Sequence, residues 1–305
     1  MHPARSIIFF TTMSGAGFGM LGIAAFLLAM GWGDMTSLLI SAVIAMVFSS
    51  AGLFSSLLHL GNPQRAWRAL SQWQSSWLSR EGVLAIATMG VAVLWLGGGA
   101  VSGVFVTELG FIVSILSAIT VYATAMIYAQ LRPVPRWHTV LTPLCYLGFA
   151  LSSGVLGVLA VAADPSLLQL GLPALIAAWC VKTLWWLRAD KTGRGHGGSS
   201  LKTATGLNEF QQVKLFEKPH MTANYLMTEM VFSVGRKHAR RLRQIAVLMG
   251  GILPILLLWA GLVVPASLTI FCVLAAGTHL IGLFVERWLF FAEAEHVVGF
   301  YYGKS

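Results

Sequence analysis

Seven stretches of this sequence hold no Asp, Glu, Lys or Arg over lengths that suit a bilayer crossing. A helix rising about 1.5 Å per residue needs about 20 apolar residues to traverse the hydrocarbon layer. The runs are Ser6–Gly33, Met35–Gln64, Gly82–Thr107, Leu109–Leu131, Trp137–Ala163, Pro165–Val181 and Gln244–Val285. The last covers 42 residues, too many for one pass, and Pro265 near its middle predicts two helices joined by a tight turn. Lys182 follows the sixth run and precedes Thr183–Leu187. Near a helix end its stem can lie along lipid while the ammonium reaches the interface. Composition agrees: 57% of residues are hydrophobic and only 10% charged, against about 25% charged in soluble domains.

The sequence therefore reads as an all-α polytopic membrane protein with eight transmembrane helices in a single membrane domain over 1–305. Helices are expected over 6–30, 36–59, 82–101, 109–130, 138–162, 166–187, 244–264 and 266–288, with a loop over 188–243. A membrane barrel would alternate apolar and polar residues, and these runs do not. The first run is also longer than a signal-peptide core, so the first helix is expected to be retained.

The net charge of +9 matters through its placement, which speaks for an orientation and not for nucleic acid. Arg5, the second loop (Arg65, Arg68, Arg80), the fourth (Arg132, Arg136), the sixth and the C-terminus hold 19 Lys and Arg, leaving out Lys182. The first, third, fifth and seventh loops hold none, only Asp34, Glu108 and Asp164. By the positive-inside rule both termini are cytoplasmic. The sixth loop is too short to bury a catalytic core of its own. Its closing run, Arg236-Lys237-His238-Ala239-Arg240-Arg241-Leu242-Arg243, suits anionic membrane lipid.

Cys145, Cys180 and Cys272 lie scattered in apolar segments without metal-ligand spacing and read as small core residues, so no metal site is expected. Gly15-Ala-Gly-Phe-Gly19 imitates a nucleotide loop, but no strand precedes it, and Gly15, Gly19 and Gly22 read as close helix contacts. The second loop is more informative. His59 sits where the second helix meets the interface, Gly61 and Pro63 break the helix, and a turn there aims His59 and Arg65 toward one pocket. Glu81 opens the third helix on the same face. A titratable histidine, a carboxylate and an arginine suit a quinone headgroup, which takes up protons as it is reduced. An interfacial cluster on lipid phosphate, with Trp67, Trp73 and Trp77 as belt anchors, explains the same residues.

His279 lies deep in the eighth helix and needs a partner there. It could ligate haem b, relay protons, or hydrogen-bond a neighbouring helix; a second deep histidine, which a haem would require, is absent from the sequence. Arg132-Pro-Val-Pro-Arg136-Trp137-His138 forms a rigid turn that could serve as a docking surface.

Several segments together resemble the membrane-anchor subunits of dimethyl sulfoxide reductases. They are His2-Pro3, Phe10-Thr-Thr-Met-Ser-Gly-Ala-Gly, His59-Leu-Gly, Arg132-Pro-Val-Pro-Arg-Trp, Asn224-Tyr-Leu-Met-Thr-Glu-Met, and Arg287-Trp-Leu-Phe-Phe-Ala-Glu-Ala-Glu-His-Val-Val with Tyr301-Tyr-Gly. The resemblance spans the whole sequence and implies an eight-helix anchor without metal of its own in the bacterial inner membrane. Its partners would be a molybdopterin catalytic subunit and a four-cluster iron–sulfur subunit, with electrons exchanged with ubiquinone or menaquinone. The family's quinone-site positions match here as His59, Gly61, Arg65 and Glu81. The wording of the last motif, with a cytoplasmic docking face, resembles the quinone-reducing sulfite dehydrogenase branch. An anchor that oxidises quinol for a sulfoxide or other sulfur-compound reductase is the alternative. A transporter is a remote one, since no pair of broken helices repeats between the halves.

Overall fold

The structure, a computed structural model, describes residues 4–58, 62–192, 200–214, 216–217 and 238–298. Eight helices are long and apolar enough to cross a membrane, and no strand occurs among the described residues. They are α1 (Arg5–Ala29), α2 (Met35–Leu57), α3 (Trp77–Ser102), α4 (Thr107–Ala129), α5 (Leu141–Ala162), α6 (Leu168–Lys191), α7 (Ala239–Val263) and α8 (Leu268–Ala292). Short links make α1 and α2, α3 and α4, α5 and α6, and α7 and α8 antiparallel pairs. Val264 and the 3₁₀ turn Pro265–Ser267 reverse the backbone between α7 and α8, because Pro265 cannot continue the helix that precedes it.

Charged residues lie inside the helices where the sequence places them beyond the ends. Helix α3 starts at Trp77, not at residue 82, and carries Arg80 and Glu81 in its opening turns. The Arg80 guanidinium folds back to donate to the Trp73 and Gln74 carbonyls at 2.9 and 2.6 Å, which lets it stay on the helix. Helix α6 runs on to Lys191, α8 to Ala292, and α7 begins at Ala239 inside the expected loop.

Small residues set the packing. Between helices in lipid, van der Waals contact replaces the hydrophobic drive, so backbones that approach closely are favoured. Helix α1 is the axis: a Cβ at Gly17 would strike α2 at Ser49, one at Gly19 would strike Ala150 of α5, and one at Gly22 would crowd Ser117 of α4. Gly15, expected among these contacts, faces open space, and Gly17 takes its place. Gly250 and Gly282 bring α7 against α8 in the same way. Helix α3 stands at the edge, packed on α4 and on the 3₁₀ segment Pro63–Gln72.

Candidate functional site

Of the quinone-site residues expected from sequence, Arg65 and Glu81 lie at the end of the bundle where α3 begins. His59 and Gly61 fall outside the described residues. Arg65 is exposed on the 3₁₀ segment, which folds over the start of α3 so that Leu70 lies against Gly82, beside Glu81. Glu81 turns inward and is 5% exposed. Among the described residues its hydrogen-bond partner is the Thr124 hydroxyl of α4, and no ion pair joins it to Arg65.

The Thr124 hydroxyl has a second outlet, the Thr120 carbonyl at 3.1 Å. An ionised Glu81 receives the Thr124 proton. A protonated Glu81 donates to Thr124 Oγ1, and Thr124 then donates to Thr120. Both forms of the carboxyl are satisfied without moving a helix, an arrangement suited to taking up and releasing a proton. Thr88 and Thr120, 2.9 Å apart, continue the polar seam between α3 and α4.

The turn expected as a docking surface is divided by the structure. Trp137 is core, stacked on Phe290 at 5.2 Å and donating its Nε1–H to the Phe290 carbonyl at 2.9 Å. Arg136 is tied to Asp190 and Glu293 at 3.4 and 3.5 Å. Arg188 clamps the turn from α6 by donating to the Pro135 and His138 carbonyls at 2.8 and 3.1 Å. Of the four expected docking residues, Arg132 and His138 remain exposed, and His138 Nδ1 donates to the Ala129 carbonyl at 2.7 Å. A tryptophan whose N–H finds a buried carbonyl satisfies its one polar atom inside the bundle, so it has no need of the surface.

His279 is fully buried and engaged at both nitrogens. Nδ1 donates to the Gly250 carbonyl at 2.5 Å, and Nε2 meets the Ser152 hydroxyl at 3.1 Å. The carbonyl is free because α7 makes a π-turn over Leu248–Ile252, and Trp179 donates to it as well, at 2.8 Å. An axial bond to haem would have to break one of these hydrogen bonds. The cysteines divide too: Cys145 and Cys272 are buried, whereas Cys180 is exposed in an apolar groove of about 450 Å³ between α6 and α7.

Sequence reasoning missed a cluster of charge. Lys182 does not reach the interface: it is 0% exposed and meets Glu286 of α8, also 0% exposed, at 2.5 Å. Arg287, 3% exposed, lies 3.4 Å from the other Glu286 oxygen. Aromatic faces complete the shell, with Lys182 Nζ 3.9 Å from the Trp185 ring centre and the Arg287 guanidinium 3.8 Å from that of Tyr146. The available signal was the rule that a charge inside a membrane helix requires a partner, and the nearest anions in sequence offered none.

Comparison with known proteins adds independent findings. The family described as DMSO reductase anchor subunit (DmsC) matches residues 1–293. A sulfite dehydrogenase subunit of Allochromatium vinosum is 30% identical over 332 aligned positions that cover 99% of both proteins. One of the polypeptides of the anaerobic dimethyl sulfoxide reductase of Escherichia coli is 29% identical over 131 positions, covering 40% of this protein and 46% of that one. No solved structure gives a significant match.

Proposed function

The chain belongs to the family of DMSO reductase anchor subunits, and from that premise we propose that it is the quinone-reactive membrane subunit of a sulfite dehydrogenase. The likeness to a sulfite dehydrogenase subunit over 99% of both proteins supports that branch. In this reading a molybdopterin partner oxidises sulfite, and an iron–sulfur partner carries the electrons to this protein. Both partners dock on the cytoplasmic face, where the Lys and Arg of the even loops gather. The observation that carries the quinone assignment is Glu81, a buried carboxyl able to hold or release a proton while hydrogen-bonded to Thr124.

A quinone supplies a two-electron acceptor that binds two protons on reduction. Glu81 holds one proton at its carboxyl oxygen, and His59 holds the other. Arg65 on the overlying segment attracts negative charge that develops on the reduced headgroup. Trp67 on the same segment and Trp73 just after it, both exposed, seat this end of the bundle at the lipid headgroups.

The test uses the assembled complex. His59→Ala and Glu81→Gln should each lower quinone-linked turnover by about 10²-fold or more while sulfite oxidation with a soluble dye persists. If both activities fall together, the site assignment fails. The partial alignment with a dimethyl sulfoxide reductase polypeptide favours a second reading, an anchor that oxidises quinol for a sulfoxide or other sulfur-compound reductase. Quinol-driven sulfoxide reduction by the co-purified complex, without sulfite oxidation, would establish it. A transporter would purify without a stoichiometric molybdenum and iron–sulfur partner.

A further inference from the structure

The cations at the end of α6 and the start of α7 divide into two sets. Arg136 and Arg243 are held by Asp190 and Glu293, and Arg188 by the Pro135 and His138 carbonyls. Lys191, Arg240 and Arg241 are exposed and meet no carboxylate among the described residues. The Arg243–Asp190 pair, 2.6 Å apart, fixes the two helix ends side by side. Arg243, the last of the basic run, is thereby taken from the lipid that the sequence offers it, and the earlier arginines are not.

The apolar groove between α6 and α7 leads toward these free cations. Trp179 is buried at its floor, with Nε1–H donating to the Gly250 carbonyl at 2.8 Å. Gly251, in the π-turn of α7, brings no side chain to fill it, and a Cβ there would lie 3.1 Å from the Trp179 ring. Ile176, Leu184 and Ile252 are exposed along it, within helices that span the membrane. The Thr183 hydroxyl already donates to the Trp179 carbonyl at 2.8 Å, so water finds too few polar partners to occupy the groove. Hydrocarbon does not need them.

Groove and cations share the same faces. On α6, Cys180, Leu184, Leu187 and Lys191 follow one another at spacings of four, three and four, which puts them on one side of the helix. On α7, Arg240, Gln244 and Val247 repeat the pattern. Lys191 stands seven residues beyond Leu184, and Arg240 seven before Val247, so each lies about 10 Å along its helix from the groove lining. His238 gives α7 no side-chain cap, and the first-turn N–H groups add positive partial charge at the same place.

We infer that this is a binding site for one anionic phospholipid, with an acyl chain in the groove over Trp179 and the phosphate between Lys191 and Arg240. Charge selects the occupant. A quinone tail would fill the groove equally well, but its neutral headgroup leaves both cations without an anion, as does a zwitterionic lipid of no net charge. The site is independent of the quinone reading, since it is built on α6 and α7 and uses neither Glu81 nor Arg65.

The test uses the protein as purified, with whatever subunits accompany it, in phosphatidylcholine vesicles that carry spin-labelled lipid. Phosphatidylglycerol labelled on an acyl chain should show an immobilised component in excess of that from labelled phosphatidylcholine. Arg240→Gln and Lys191→Gln should each weaken this preference about fivefold, and the double variant about 25-fold, the effect of one and two interfacial cations. Cys180→Trp fills the groove and should release the chain with both cations still in place. Equal immobilisation of the two lipids overturns the inference and marks ordinary boundary lipid. A preference that survives in the double charge variant also overturns it, because a protein partner then covers the cations. So does a preference unchanged in Cys180→Trp, which marks a headgroup held without the groove. Should Cys180→Trp fail to assemble, phosphatidylglycerol with a photoactivatable diazirine on its chain decides in the wild type. Cross-links to the segments around Cys180 and Ile252 support the site, and cross-links confined to other helices overturn it.

Discussion

Glu81 and Glu286 are both sealed inside helices toward the same end of the bundle, yet their surroundings differ in kind. Glu81 sits on the edge helix α3, and its partner is a neutral hydroxyl with a second outlet. Glu286 sits on α8 between two cations, with aromatic rings around them. The difference teaches what a buried carboxyl can do. A hydroxyl accommodates both protonation states, whereas flanking cations hold the negative charge and make it structural. Four expected outcomes probe that contrast.

The largest effect should come from Glu286→Leu, which leaves Lys182 and Arg287 buried without their anion. A loss of about 3–5 kcal/mol is expected, measured as lowered thermal stability of the purified protein. Glu81→Gln, which keeps the shape and a hydrogen bond to Thr124, should cost far less in the same assay. Equal losses would erase the contrast between the two carboxyls.

Thr124→Val removes the hydroxyl that serves Glu81 and leaves a buried polar group unpaired. About 1–3 kcal/mol of stability should be lost, together with quinone-linked turnover of the assembled complex. Unchanged turnover would show that the hydroxyl does not help Glu81 handle a proton.

Tyr146→Phe removes a hydroxyl that has no hydrogen-bond partner among the described residues while keeping the ring under Arg287. Stability should stay within about 0.5 kcal/mol of wild type, in contrast to the loss at Thr124→Val, whose hydroxyl has a buried partner. A loss comparable to that of Thr124→Val would show that the Tyr146 hydroxyl has a partner of its own.

The smallest effect belongs to a carboxylate in water. Asp34 caps α2 by accepting from the Ser37 N–H at 2.8 Å, and that hydrogen bond holds its pKa below the ordinary value of 3.8. A lowered folded-state pKa contributes stability that is complete above pH about 3.8 and fades as pH falls through the lowered value. The melting difference between wild type and Asp34→Ala should therefore be present at neutral pH and vanish in strong acid. A difference that grew on acidification would contradict the cap.

The contrast between the two carboxyls was only half legible in the sequence. Glu81 stood out because it follows a loop rich in Arg and Trp at the foot of an apolar run. Its burial and its threonine could not be read, since Thr124 belongs to a different helix whose rotation the sequence does not state. Trp137 and Arg136 looked like surface because they flank two prolines, but α6 and α8 supply the carbonyl and carboxylates that draw them inward. Gly15 and Gly17 were indistinguishable by composition; only the direction of each face of α1 separates the idle glycine from the one against α2.

By itself the sequence determined that eight helices cross a membrane, roughly where each one lies, and that positive charge gathers in alternate loops. These are properties of one segment at a time, because the cost of placing charge in hydrocarbon is set locally. Only the tertiary structure decided that Lys182 turns to Glu286 and Arg287 instead of to the interface. A buried charge must find a partner, but which partner it finds depends on how glycine contacts orient the helices about one another.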